Sequence, residues 1–295
     1  MKKLAYILLI AACISANAYA QADDNEELKI AAMEALISAP PSRALPLASK
    51  ALKGDHSNEV KERALFVLSQ IDSAEAVKLI VVTAQQSSGE LRLEAIRMIG
   101  IGGNGEALAN LRTLYASGDK EVRDAVLEAY LIADDEEAVY ELAVNAKDED
   151  EFEAAVDMLG AMNARDQLRR LRETVGPSES LIEAYAVSGD AEALRGLATD
   201  SSDPVRQMQA IEALGIVGGD EADATLVAIY RDANNDDIRE AALEGMLISG
   251  HDAGVLELYR SSQDTKEKTE LLEYLVMMGS DDVWNLIESA LDDAQ

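Results

Sequence analysis

The chain has 295 residues, 26 of them basic and 56 acidic, for a formal charge of −30. Such a surface repels nucleic-acid phosphates and anionic lipid headgroups. A hydrophobic content of 48% argues against a disordered acidic chain, and two His and one Cys leave little material for a soft-metal site or a Cys–His nucleophile pair.

The first twenty residues, MKKLAYILLIAACISANAYA, place Lys2 and Lys3 before an apolar run from Leu4 to Ile14 that is too short to span a bilayer. Ala18-Tyr19-Ala20 is a small-x-small cleavage pattern followed by polar Gln21. Residues 1–20 are therefore expected to be a bacterial secretory signal peptide, with export to the periplasm. Losing Lys2 and Lys3 would take the charge to about −32. A second processing route is open: Ile10-Ala11-Ala12-Cys13 resembles the lipobox of bacterial lipoproteins, in which Cys13 becomes a lipidated N-terminus. Neither route permits an intramolecular disulfide, so stability must come from packing.

From there the chain keeps returning to one pattern. Short polar corners recur at Ile71-Asp72, Gly102-Gly103, Ala133-Asp134, Met162-Asn163, Ser188-Gly189, Gly218-Gly219, Ser249-Gly250 and Gly279-Ser280. They lie roughly 26 to 31 residues apart, the range of helical solenoid repeats. Before a corner, apolar residues stand at helical spacing, as in Val205, Met208, Ile211 and Leu214; after it comes a second set, as in Leu226, Ile229 and Tyr230. Asp203-Pro204 reads as an N-cap followed by proline at the first helical position. Strand signals are nearly absent, with aromatics at 4%. The expected architecture is all-α: a solenoid of stacked antiparallel helix pairs over residues 21–295, about nine pairs, each copy supplying half of the next copy's core. Alternate copies are more alike than neighbours. One type carries Leu-Glu-Ala-Tyr (127–130), Ile-Glu-Ala-Tyr (182–185) and Leu-Glu-Gly-Met (243–246); the other carries Ile-Gly (99–100), Leu-Gly (159–160) and Leu-Gly (214–215). The repeating unit is then a four-helix module.

Asp-Pro-Val-Arg at 203–206, Ala-Leu-Gly at 213–215 and Gly-Gly-Asp at 218–220, with weaker copies such as Glu-Val-Arg at 121–123 and Asp-Ile-Arg at 237–239, resemble the HEAT repeat family, specifically the bacterial HEAT-like type related to phycobilin lyase repeats. The resemblance implies that the basic residue after the aliphatic one bonds to a corner Asp, forming a ladder along the solenoid. Lys61, Arg92, Arg123, Arg206 and Arg239 match the donor position, and Asp72, Asp134, Asp190 and Asp220 are the candidate acceptors. The copies around Phe152 and Leu181 lack the basic residue.

Few residues suggest chemistry. His56 and His251 sit in separate loops without a partner His or Cys, and Asp232 to Asp237 imitates the start of a calcium loop without its glycine or closing glutamate. The acidic run from Lys147 to Glu153 reads as a solvated turn. Arg165, Arg169, Arg170 and Arg172 form the one dense positive cluster, three of them along one helical face. They read either as a docking patch for an acidic group or as local ion pairs. Tyr115, Tyr140, Tyr230 and Tyr259 fall in the second helices of their pairs, either on a protein-binding surface or in the core with the hydroxyl at its edge. The expectation is a protein-binding scaffold of the cell envelope, with no catalytic residues, metal, cofactor, nucleic-acid partner or membrane span. The alternatives are a lyase-type enzyme, as the family resemblance implies, and a lipid-anchored assembly factor.

Overall fold

The computed structural model describes residues 25–292, without the side chains of residues 290 and 292. The expected signal peptide and Cys13 lie outside the described residues. Within them the chain is all-α, and no strand occurs. It divides into two compact units, one ending at Asp135 and the other beginning at Glu136.

The first unit holds α1 (residues 25–35), a 3₁₀ turn at Leu36–Ser38, α2 (Pro41–Lys53), α3 (Asn58–Ser69), α4 (Ala74–Gln86), α5 (Glu90–Gly102), α6 (Gly105–Ser117) and α7 (Lys120–Ala133). The second holds α8 (Glu136–Val144), α9 (Glu149–Ala161), α10 (Arg165–Val175), α11 (Glu179–Val187), α12 (Ala191–Ala198), α13 (Pro204–Val217), α14 (Gly219–Asp232), α15 (Asp236–Ser249), α16 (Asp252–Ser261), α17 (Thr265–Met277) and α18 (Val283–Asp292). In each unit a helix packs on its sequence neighbour and on the helix two places along: α3 on α5 and α5 on α7; then α9 on α11, α11 on α13, α13 on α15 and α15 on α17. This one-dimensional stacking is what lets short helices bury an apolar face that none of them buries alone.

Local chemistry explains both the helix starts and part of the acidity. Asp119, Asp148, Asp190, Asp203 and Asp264 are N-caps whose carboxylates accept backbone N–H bonds, and Ser57, Ser73, Asn104, Ser178 and Asn235 cap other helices in the same way. A carboxylate there satisfies an otherwise orphan donor and sits at the positive end of the helix dipole. The amides of Glu267 and Lys266 hold the Asp264 carboxyl below its ordinary range. At the corners Gly103, Asp134, Asn163, Gly189, Gly218, Gly250 and Gly279 all take positive φ, which reverses the chain in few residues.

The four-helix module has a packing cause. A Cβ on Gly100 would lie 2.5 Å from the carbonyl oxygen of Ala129, and one on Gly215 would lie 2.7 Å from the Cα of Gly245. Gly160 faces Ala184 in the same manner, at 3.2 Å. The Gly of one copy type thus meets the small residue of the other type's Leu-Glu-small motif, drawing α5 to α7, α9 to α11 and α13 to α15. The tyrosine that ends the motif anchors the contact: Tyr130 donates to the Leu108 carbonyl and Tyr185 to the Leu168 carbonyl, both at 3.2 Å and both buried. Met246 takes this place in the third module.

One reading of the core is corrected. Ile211 and Leu214 are fully buried, but Val205 is 67% and Met208 is 43% exposed. Steps of three residues fall short of a helical turn and drift by about 60° each, so four such residues span half the helix circumference and leave one face. Leu226, Ile229 and Tyr230 of α14 are buried.

Candidate functional site

Two features of the second unit compete as a site: the arginine-rich helix α10 and a groove along α12 and α14. On α10, Arg165 donates through Nε and Nη2 to the Ser188 carbonyl, at 2.8 and 2.6 Å, bracing the corner between α11 and α12. One turn on, Arg169 makes a two-pronged contact with the Asp190 carboxylate, at 2.7 and 2.6 Å, and reaches Glu192 at 2.9 Å. Asp190 is almost wholly buried and also accepts the Ala193 N–H at 3.1 Å as the N-cap of α12. Burial works to raise its pKa, but the Arg169 fork, the Ala193 amide and the nearby Arg165 charge together hold it below the ordinary carboxylate range. The hydrogen bond to Asp190 is the main cause of the raised pKa of Arg169.

Arg170 faces the other way. It forks onto Glu137 of α8 at 2.7 and 3.2 Å, with its guanidinium carbon 4.2 Å from the centre of the Tyr140 ring. Arg172 is half-buried near Gly196 of α12. The shared face of Arg165, Arg169 and Arg172 is therefore turned toward the next helix pair, and Arg165, Arg169 and Arg170 are engaged by groups of the protein itself.

The other site candidates are dispersed. Tyr115 and Tyr230 are buried, 5% and 4% exposed, which takes them off any binding surface. Tyr230 donates to Glu267 at 3.1 Å, and burial, with that carboxylate second, raises its pKa. Tyr140 and Tyr259 are half-buried; Tyr259 lies beneath the Lys268 ammonium at 5.3 Å.

The ladder takes another form. Arg206 pairs with Asp203 at 3.1 Å and Arg239 with Asp236 at 2.6 Å, each an acid three residues earlier on its own helix start. That spacing makes the two side chains neighbours without any reach across repeats. Arg123 donates to the Gly118 carbonyl at 3.1 Å, and Asp134 serves the corner through its left-handed backbone. Lys61 and Arg92 are half-buried, the Nε of Arg92 without a partner, while Asp72 and Asp220 are exposed. Among the described residues, Asp190 is the candidate corner acceptor bonded by an arginine of the preceding helix pair, and the donor is Arg169 of α10.

Asp232 to Asp237 runs from the last residue of α14 through a three-residue link into α15, and Asn235 in that link accepts the Asp237 N–H. Asp148 caps α9 inside the acidic run, and His251 sits 3.3 Å from Asp223. Among the described residues no three His, Cys, Asp or Glu side chains gather as a metal-holding group, and no helix is long and apolar enough to cross a membrane.

The groove, of about 820 Å³, was not anticipated from the sequence. Ala198, Ala224, Ala228 and Ile229 form its apolar floor, while Gln207, Asp232, Asn234 and Asn235 line its edge. Arg195 and Glu221, 3.4 Å apart, stand at the rim. The one signal for it is Ala224 and Ala228, small residues one turn apart on an exposed face of α14.

Residues 180–246, from α11 into α15, match the family model described as HEAT repeats. No curated protein matches the chain. Among solved structures, the complex of CpcE and CpcF of phycocyanin lyase from Nostoc sp. is 17% identical, covering 82% of this chain and 95% of that one at a TM-score of 0.35. Human deoxyhypusine hydroxylase in complex with glycerol is 17% identical, covering 77% and 99% at a TM-score of 0.33. An engineered protein is 20% identical, covering 79% and 95% at a TM-score of 0.26. Within the all-α stack of helix pairs, residues 180–246 are the stretch that matches HEAT repeats.

Proposed function

We propose that this chain is an exported, non-enzymatic scaffold that receives a segment of a partner protein in the groove along α12 and α14. The groove carries this reading. Its exposed alanines, Ala224 and Ala228, leave room for a partner's side chains, and the exposed Asn234 amide beside them can meet a partner backbone. Stacked repeats build extended binding surfaces of this kind, which act through area and shape. Arg165 and Arg169 tie α10 to the corner between α11 and α12 and so position α12, one wall of the groove. Export rests on the N-terminal pattern ending at Ala18-Tyr19-Ala20.

The test is affinity capture from envelope extract with the chain from Gln21 onward, comparing the native protein with Ala228→Trp. Ala228 is exposed, so the bulkier ring fills the groove without entering the core. A partner retained by the native protein and lost by the variant supports the reading; equal retention by both refutes the groove as its site. Intact mass of the envelope-purified protein separates a start at Gln21 from a lipidated Cys13.

A further inference from the structure

A second surface lies on the first helices of the pairs, away from the α12–α14 groove. Two residues before the positive-φ corner glycine, α11, α13, α15 and α17 each present an exposed aliphatic side chain: Val187, Ile216, Ile248 and Met277, at 68%, 63%, 53% and 60% exposure. Four residues before each stands a glutamate, Glu183, Glu212, Glu244 and Glu273, and all four are exposed. A separation of four places each pair on one face of its helix. Because α11, α13, α15 and α17 stack in succession, the pairs line up as two parallel rows, one acidic and one apolar. Between α13 and α15 the rows frame a groove of about 340 Å³, lined by Val205, Met208, Glu212, Glu244 and Ile248 with Gly245 at its base. The drift that took Val205 and Met208 out of the core delivered them here.

The charge on this face has one sign. The stretches 179–187, 207–217, 240–249 and 269–277 contain neither Lys nor Arg. None of the four glutamates has a cation partner among the described residues. The uninterrupted run is confined to this part of the second unit: α9 has Ala161 after Asp157, and in the first unit α5 has Arg97 before Ile101 while α7 carries one such pair, Glu128 before Ile132.

We infer that the rows on α11, α13, α15 and α17 form a docking face for a basic amphipathic helix of a partner protein. Four helices at 8–10 Å spacing extend for roughly 30 Å, the length of a helix of about 20 residues. The two rows lie one helical turn apart, within the width of a single crossing helix. Its aliphatic stripe covers Val187 to Met277, and its lysines meet the unpaired glutamates.

The test uses the chain from Gln21 onward and three synthetic 20-residue peptides: a Leu/Lys amphipathic helix, a Ser/Lys peptide of the same charge, and a Leu/Glu helix. The Leu/Lys peptide should bind at least about tenfold tighter than the Ser/Lys peptide, and the Leu/Glu helix should not bind. Ile216→Asn with Ile248→Asn, and separately Glu212→Gln with Glu244→Gln, should each weaken the Leu/Lys complex about tenfold with the helical circular dichroism unchanged. Ala228→Trp should leave it unaltered, so failure of this face and failure of the α12–α14 groove are read independently. Equal binding of the Leu/Lys and Ser/Lys peptides, or full affinity in the Ile216/Ile248 variant, overturns the inference.

Discussion

Replacing Arg169 with Met removes the cation that forks onto Asp190. The carboxylate is left 1% exposed, with the Ala193 amide and the Arg165 charge as its remaining support. Breaking a fully buried pair costs about 3–5 kcal/mol, whereas an exposed pair contributes about 1 kcal/mol or less. Arg169 is itself 41% exposed, so the loss should fall between these limits, at about 2–3 kcal/mol. For a unit of this size that lowers the melting temperature by about 4–12 °C. Thermal melts followed by circular dichroism on the native protein, Arg169→Met, Asp190→Asn and the double variant give the coupling directly. Asn at 190 keeps the N-cap but not the charge, so the double variant should be clearly more stable than the sum of the single losses. The pH dependence has a definite sign. The folded pKa of Asp190 is lowered, so its contribution is fully present above the ordinary carboxylate pKa and is lost as pH falls through the folded value. The difference between native protein and Arg169→Met should therefore be largest near neutrality and close in acid, where Asp190 is protonated in both. Strict additivity of the two substitutions, or a difference that grows in acid, would refute the reasoning.

Gly100→Ala should destabilise by about 1–3 kcal/mol in thermal melts, because its Cβ meets the Ala129 carbonyl oxygen at 2.5 Å. Gly102→Ala, whose nearest neighbour is Ser69 O at 3.9 Å, should be neutral or stabilising, and equal losses at both sites would count against the close-approach account. Tyr185→Phe leaves the Leu168 carbonyl without the hydroxyl that reaches it at 3.2 Å and should cost about 1 kcal/mol by denaturant titration. Arg170→Ala breaks an ion pair exposed on both sides, so its effect in thermal melts should be small and shrink with added salt.

Much of the fold is legible in the sequence because it is encoded at short range. The corners, the Asp203-Pro204 helix start and the alternation of Gly-bearing and Leu-Glu-small copies all depend on residues a few positions apart. The tertiary structure supplies the reason for the alternation, in the contact of Gly100 with Ala129 and of Gly215 with Gly245. The sites were less legible. The spacing of Arg165, Arg169 and Arg172 identifies a shared face but not what covers it, and the Ser188 carbonyl and Asp190 that meet it lie more than 20 residues away. Tyr230 and Tyr259 occupy like places in their helices, yet one is buried on Glu267 and the other half-buried beneath Lys268, because α17 meets the two rings with different side chains. The α12–α14 groove and the paired rows on α11 to α17 exist only once successive repeats are laid side by side. Helix periodicity settles which residues share a face within one helix, while the partner of that face is chosen by the register between helices, which no spacing along the chain encodes.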